Sequence, residues 1–566
     1  MAKTTGARIL AEMLGRYGVT HVFFVPSILK RTMYEMEEHT NIQRILTHGE
    51  KAAAYMADGY ARATGRPGVC MAQLVGAANL AAGLRDAYLA CSPVIAMTGG
   101  PNTLSRGRAA YQQIDDFAMF KSVTKFSAHI DSVERVGDLV RQAFRASTVG
   151  KPGPVHLEFE GRTGVDIDAA ESDMPVVVEE RFSRLPPFRP SGDPQSIAQA
   201  AELLASAERP IVVAGGGVRW SAAGGNVLEL ADLADVPVAT SLNAKDTIPS
   251  DHPLYVGVVG SYSHDCANQA VLEADLVVFI GSQTGGQVTA DWTVPAPGTR
   301  VIQIDIDPLE LGRHYPVEAA IQGDAKAVLQ QIIVALRGRP LRKRSSWIER
   351  VQALAAQWRR EIDAVISSDT IPLRPERLCT ELTKSLPGDA IVVSDTGHAG
   401  IWSGCFLDLT NAHQSYLRSA GSLGWAFPAA LGAKAAMPER PVVAFTGDGG
   451  FWYHIGELET AVRMGLSAVV VVNNNRSLNQ EAPSWEQAYG GHLHGRHYEG
   501  WQFSEIDFAR VAESMGAKGI RVARPKDFAP ALEEALASKK PSVIDVVTDI
   551  SAIAPPPLTR LQTVPA

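Results

Sequence analysis

The 566-residue sequence predicts an α/β protein of three doubly wound, parallel-sheet domains. At roughly 100–200 residues per domain, the length calls for about three units with separate cores. Short, continuously apolar runs alternate with helix-like stretches along the whole chain. Continuous rather than alternating apolar character marks strands covered on both faces, as in parallel sheets. Such runs are 19–25, 68–72, 93–97, 210–214, 276–280, 301–306, 390–394, 442–446, 468–473 and 543–547.

Two stretches read as linkers. Segment 184–194 (RLPPFRPSGDP) is Pro-rich and polar, and 336–346 (LRGRPLRKRSS) is basic and reads as a solvated connection. Cutting there gives domains at 1–185, 190–340 and 350–550. The Pro-rich tail, 551–566, is an irregular segment or a lid.

Composition narrows the function. Net charge is −8, which gives no electrostatic footprint for nucleic acid or an anionic membrane. The five cysteines are scattered and odd in number, which fits a reducing, cytoplasmic setting. No apolar run reaches the roughly 18 residues of a membrane span. Residues 1–16 lack the apolar core of a signal peptide.

The strongest signal lies in the third domain. The strand-like run 441–446 ends in Gly447-Asp448-Gly449-Gly450, an amphipathic helix is expected at 455–464, and a second strand ends in Asn473-Asn474-Asn475. Glycines after a strand let backbone approach a phosphate. The next helix N-terminus adds N–H donors. Asp448 and Asn475 offer one hard oxygen each, the few-ligand arrangement that Mg²⁺ adopts beside phosphates. Neighbouring parallel strands would place both at the carboxyl edge, where ligands of open α/β sheets sit.

GDG followed by NN about two dozen residues later resembles the thiamin diphosphate (ThDP) motif. The remainder of the chain resembles the acetolactate synthase and pyruvate oxidase branch of the ThDP-dependent enzymes. That resemblance implies a pyrimidine-binding domain, a central Rossmann-like domain and a diphosphate-binding domain. It makes Asp448, Asn475 and the main-chain carbonyl of Ser477 the metal ligands, with Gly447, Gly449 and Gly450 at the diphosphate. Segment 395–399, with Thr396, Gly397, His398 and Ala399, resembles the strand end that also binds diphosphate. Segment 419–428 resembles GGxGTMGFGLP, which puts Gly421 and Leu423 at the aminopyrimidine. In 47–62, similar to HEQxAAxMAxGYAR, Glu50 falls on the glutamate that hydrogen-bonds the pyrimidine, with Gly49 and Lys51 replacing the family's His and Gln. Asn79 lies in a segment similar to GPGATN, though Gln73-Leu74-Val75 departs from SGP.

For the central domain the resemblance implies FAD, or ADP in CoA-using relatives, or no ligand. Segment 281–287 (GSQTGGQ) lacks the Arg and acidic residues of the family's GARFDDR. Gln112, in a segment resembling FQE, is placed near cofactor and substrate. Glu481, six residues after Asn475, matches a catalytic Glu of some related decarboxylases and lyases, where synthases carry an apolar residue. The histidines of 491–497 read as loop residues rather than a zinc set, for want of a completing carboxylate or Cys. The implied activity is cleavage of a 2-oxo acid such as pyruvate, with the acyl unit transferred to an acceptor. The alternatives are a 2-hydroxyacyl-CoA lyase or a 2-oxo acid decarboxylase, and more remotely a non-catalytic scaffold of the same fold. Active sites in such enzymes join domains of different subunits, which implies a homodimer at minimum and commonly a homotetramer. The sequence leaves a regulatory subunit open.

Overall fold

A computed structural model of the chain describes residues 3–555. Most of the tail segment read as a lid, 556–566, lies outside the described residues. The chain forms three six-stranded sheets, parallel throughout, each flanked by helices. The first, from edge to edge, runs Gln43–Leu46, His21–Phe24, Gly68–Ala72, Val94–Gly99, Val155–Phe159, Phe126–Ile130. The second runs Tyr255–Val258, Val238–Thr240, Pro210–Ala214, Leu276–Ile280, Arg300–Asp305, Ala319–Gln322. The third runs Ser415–Arg418, Ile391–Ser394, Val442–Gly447, Val469–Asn474, Ser542–Val547, Lys518–Val522.

Strands such as Pro210–Ala214 and Leu276–Ile280 are buried along their whole length, because helices cover both faces. Their flanking helices start where the sequence supplies caps. Asp193 accepts from the Ser196 N–H, and Asp324 accepts from the Ala327 N–H. The basic linker departs from the expected solvated connection at one residue. Arg344 is buried, donating to the carbonyls of Leu204, Ala207 and Ala234. These carbonyls end the helices Pro194–Ser206 and Gly224–Ala234, where orphan C=O groups attract a cation.

The first and third domains share one apolar core. The helix Glu50–Thr64 lies directly on the helix Ala426–Ala436. A Cβ added at Gly59 would stand 2.0 Å from the Ala429 carbonyl oxygen, and one at Gly432 would stand 1.9 Å from that of Met56. Only glycine admits this approach. Beside it, Arg62 bridges Asp58 and Asp86 and lies over the Trp425 ring, whose Nε1 donates to Asp58. No helix among the described residues is long and apolar enough to cross a membrane.

Candidate active site

In the third domain, the strands Val442–Gly447 and Val469–Asn474 are adjacent, with Gly447 paired to Asn473. Asp448 and Asn475 therefore emerge side by side at the carboxyl edge. Asp448 opens the short helix Asp448–Trp452. The amphipathic helix expected at 455–464 begins at Glu457, with the chain first turning through 453–456. Asp448 is 2% exposed and has no cationic partner among the described residues. Burial pushes its pKa up to about 7, against main-chain N–H donors that include Gly449 and Ser477. Asn475 Oδ1 accepts from the Ser477 N–H at 3.1 Å and its hydroxyl at 3.0 Å. Between them Arg476 takes φ +60°, a strained turn that keeps 475 and 477 together. A buried carboxylate without a counter-cation, beside an amide oxygen and a backbone turn, suits a hard divalent ion.

Space for phosphate adjoins it. A Cβ at Gly447 or Gly421 would meet nothing within 4 Å, whereas one at Gly449 would stand 2.5 Å from Leu478. Gly397 takes φ +65° and ψ −147°, which glycine alone adopts readily, and so starts the helix His398–Phe406. His398 Nδ1 lies 2.7 Å from Asn479 Oδ1, and Asn479 Nδ2 donates to the carbonyls of Ile550 and Ala552. Burial lowers the His398 pKa, which favours a neutral ring.

The first-domain cluster is smaller. Glu50 is the first residue of the helix Glu50–Thr64, and Asn79 Nδ2 donates to its Oε2 at 3.2 Å. A Cβ at Gly76 would stand 2.4 Å from Glu50 Oε1, so this glycine makes room for the carboxylate.

Two buried carboxylates that the sequence did not single out fasten these pieces. Asp395 accepts from the N–H groups of Thr396 (2.8 Å) and Gly424 (3.1 Å) and from the Thr446 hydroxyl (3.0 Å). It thereby ties the 395–399 turn, the 419–424 loop and the strand leading to Gly447. Burial pushes its pKa up to about 6 despite those donors. Asp86, from the first domain, accepts from Ser419 Oγ and from the N–H groups of Ala420 and Ser422. Asp395 opens the 395–399 segment without having been given a role there, and Asp86 stands in no motif read from the sequence. Asp86 and Ala420 are 334 residues apart, so their pairing exists only in the fold.

Comparison with known proteins gives three matches in chain order. Residues 4–119 match the N-terminal TPP-binding domain of thiamine pyrophosphate enzymes, 197–332 the central domain, and 395–546 the C-terminal TPP-binding domain. Over nearly its full length the chain is similar to a probable acetolactate synthase large subunit of Methanocaldococcus jannaschii, 35% identical over 99% of this chain and 95% of that protein. The chain belongs to the thiamine pyrophosphate enzyme family. An acetolactate synthase of Arthrospira platensis is 31% identical over 96% of this chain and 94% of its own length. The large subunit from Corynebacterium glutamicum is 30% identical over 96% of this chain and 87% of its own. The protein is therefore a ThDP-dependent enzyme, and its first and third domains are ThDP-binding domains.

Four features of this thiamine pyrophosphate enzyme bear on what it acts upon. Glu481 ends the turn Asn479–Glu481 and caps the helix Ala482–Ala488. Its side chain is exposed and has no partner among the described residues, while the neighbouring Gln480 Oε1 approaches Gly397. Gln112 takes φ +65° in the loop after Val94–Gly99, and its Oε1 accepts from Arg162 at 3.3 Å. The structure does not join Gln112 to the Glu50–Asn79 pair through any hydrogen bond. A cavity of about 870 Å³ lies at the carboxyl ends of the central sheet, walled by Gly216, Gly281, Gln283 and Asp305 and reaching Arg418 and Ala420 of the third domain. Of the histidine-containing stretch, 491–496 is a loop in which the His492 and His494 rings lie 5.1 Å apart, beside Tyr489, and His497 opens the helical turn His497–Gly500.

Proposed function

We propose that this chain is an acetolactate-synthase-like acyl transferase that cleaves pyruvate or another 2-oxo acid and passes the acyl unit to a second carbonyl compound. The observation that carries the reading is the pairing of Gly447 with Asn473, which sets Asp448 and Asn475 side by side. In this reading Asp448, Asn475 and the Ser477 carbonyl hold Mg²⁺. Thr396, Gly397, His398, Ala399, Gly447, Gly449 and Gly450 surround the diphosphate. Gly421 and Leu423 seat the aminopyrimidine. When bound, ThDP supplies a carbon nucleophile and an electron sink for breaking and making bonds next to a carbonyl. Glu50 holds and moves the proton at the pyrimidine ring, with its carboxylate oriented by Asn79. Gln112, in the loop after Val94–Gly99, reaches cofactor and substrate. Names of the relatives, acetolactate synthase large subunits, support the choice of reaction and a separate smaller subunit as partner.

The same reading makes the enzyme a cytoplasmic homodimer or a homotetramer built from two such dimers. Supporting it, large apolar side chains are exposed at both half-sites: Val75 beside Gly76, and Tyr453 after the Asp448–Trp452 helix. Leu104, Tyr111 and Ile114 are exposed in the Gln112 loop. The central cavity, at the strand ends of a Rossmann-like sheet, is of a size for a nucleotide such as FAD or ADP.

The unpaired carboxylate of Glu481 favours a second reading, a lyase or decarboxylase of bulkier 2-oxo acids or 2-hydroxyacyl-CoA, in which Glu481 handles a substrate proton. One experiment separates the two. The full chain with ThDP, Mg²⁺ and ¹³C-pyruvate, followed by NMR, is expected to form labelled acetolactate. Untouched pyruvate with ThDP bound would overturn the pyruvate reading in favour of the second.

A further inference from the structure

The wall of the central cavity that belongs to the third domain carries Arg418, the last residue of the edge strand Ser415–Arg418, together with Ala420. Arg418 is 6% exposed, and its Nε finds no hydrogen-bond partner. No acidic side chain pairs with it among the described residues. The carboxylate of nearby Asp86 is taken up by Arg62, Ser419 and the N–H groups of Ala420 and Ser422. Burial lowers the Arg418 pKa without bringing the group to neutrality at working pH. A buried guanidinium without a counter-ion costs stability. An anion that arrives with a ligand accounts for its retention, because the planar fork matches a phosphate group.

The opposite chemistry lies elsewhere in the same cavity. Asp305, at the end of the strand Arg300–Asp305, offers a carboxylate in the position from which such sheets accept ribose hydroxyls. Hydroxyl acceptors in the central domain and an unpaired cation from the third domain together suit a nucleotide. We propose that Arg418 binds a phosphate group of a nucleotide in the central cavity, so that the ligand bridges the central domain and the 419–424 loop. This rests on the nucleotide reading of the cavity given above.

The test uses the full chain, stripped of copurified nucleotide and saturated with ThDP and Mg²⁺. Calorimetry with ADP and FAD as probes, and adenosine as the uncharged control, is compared between wild type and Arg418→Gln. At least one nucleotide is expected to bind wild type, with affinity reduced tenfold or more in Arg418→Gln and partly restored in Arg418→Lys. Adenosine is expected to bind both alike. Without nucleotide, Arg418→Gln is expected to melt at the wild-type temperature or above, since it loses a buried unpaired charge. The rise in Tm on adding nucleotide is expected to shrink. Equal nucleotide affinity in wild type and Arg418→Gln would overturn the assignment of Arg418 and leave the nucleotide reading standing. No binding of either probe to wild type would overturn both. A large fall in Tm of the nucleotide-free variant would mark Arg418 as structural and overturn the proposal.

Discussion

Glu50→Gln is expected to lose on the order of 10²–10⁴-fold in turnover, the range for removing a positioned acid–base group. Gln has nearly the same shape, and the pocket formed by Gly76 and Asn79 accommodates it. Glu50 also stands in the first turn of its helix, where a negative charge contributes about 0.3–1 kcal/mol. That is too little to unfold a domain whose helix is otherwise buried against Ala426–Ala436. Folding and ThDP affinity should therefore survive while turnover falls. Circular dichroism, calorimetry and steady-state kinetics on one preparation would check this. Unchanged turnover would remove Glu50 from the proton path.

The second large effect concerns the metal. Asp448→Ala is expected to weaken Mg²⁺-dependent ThDP binding by more than about 100-fold, beyond the effect of losing an outer-shell partner. Asp448 is buried without a counter-cation, so its loss relieves a desolvation cost in the cofactor-free chain. The variant should therefore fold without cofactor as well as wild type does. Wild type at 100 times its dissociation constant gains about 2.7 kcal/mol from the ligand. The variant should lack the corresponding rise in Tm at the same ThDP and Mg²⁺ concentrations. An undiminished rise would exclude Asp448 as a ligand.

Most interior strands and the metal–diphosphate cluster were legible because their signals are local, although the interior strands Val155–Phe159 and Val238–Thr240 were not among the runs read. Pro210–Ala214 and Leu276–Ile280 are unbroken apolar runs, and the strand–GDGG–strand–NN pattern holds its chemistry within three dozen residues. Edge strands were not among the runs read. Ala319–Gln322 alternates buried and exposed positions, and Lys518–Val522 buries only Val522 fully, because an edge strand borders solvent. The helix after GDGG begins later than periodicity suggested, since Gly456 and the turn before it take up 453–456. Asp86 and Arg418 were illegible as functional residues for a different reason. Each looks ordinary in its own segment and acquires meaning from partners, or from the lack of one, brought in by the fold.

In the proposed dimer, one active site is assembled from the Glu50 half of one chain and the Asp448 half of another. Equal coexpression of Glu50→Gln and Asp448→Ala tests it directly. Random pairing makes half of the dimers mixed, and each mixed dimer regains one intact site of two. The preparation is then expected to recover roughly a quarter of wild-type turnover from two nearly inactive parents. Turnover no greater than the mean of the two parents, in assemblies shown to contain both chains, would contradict it.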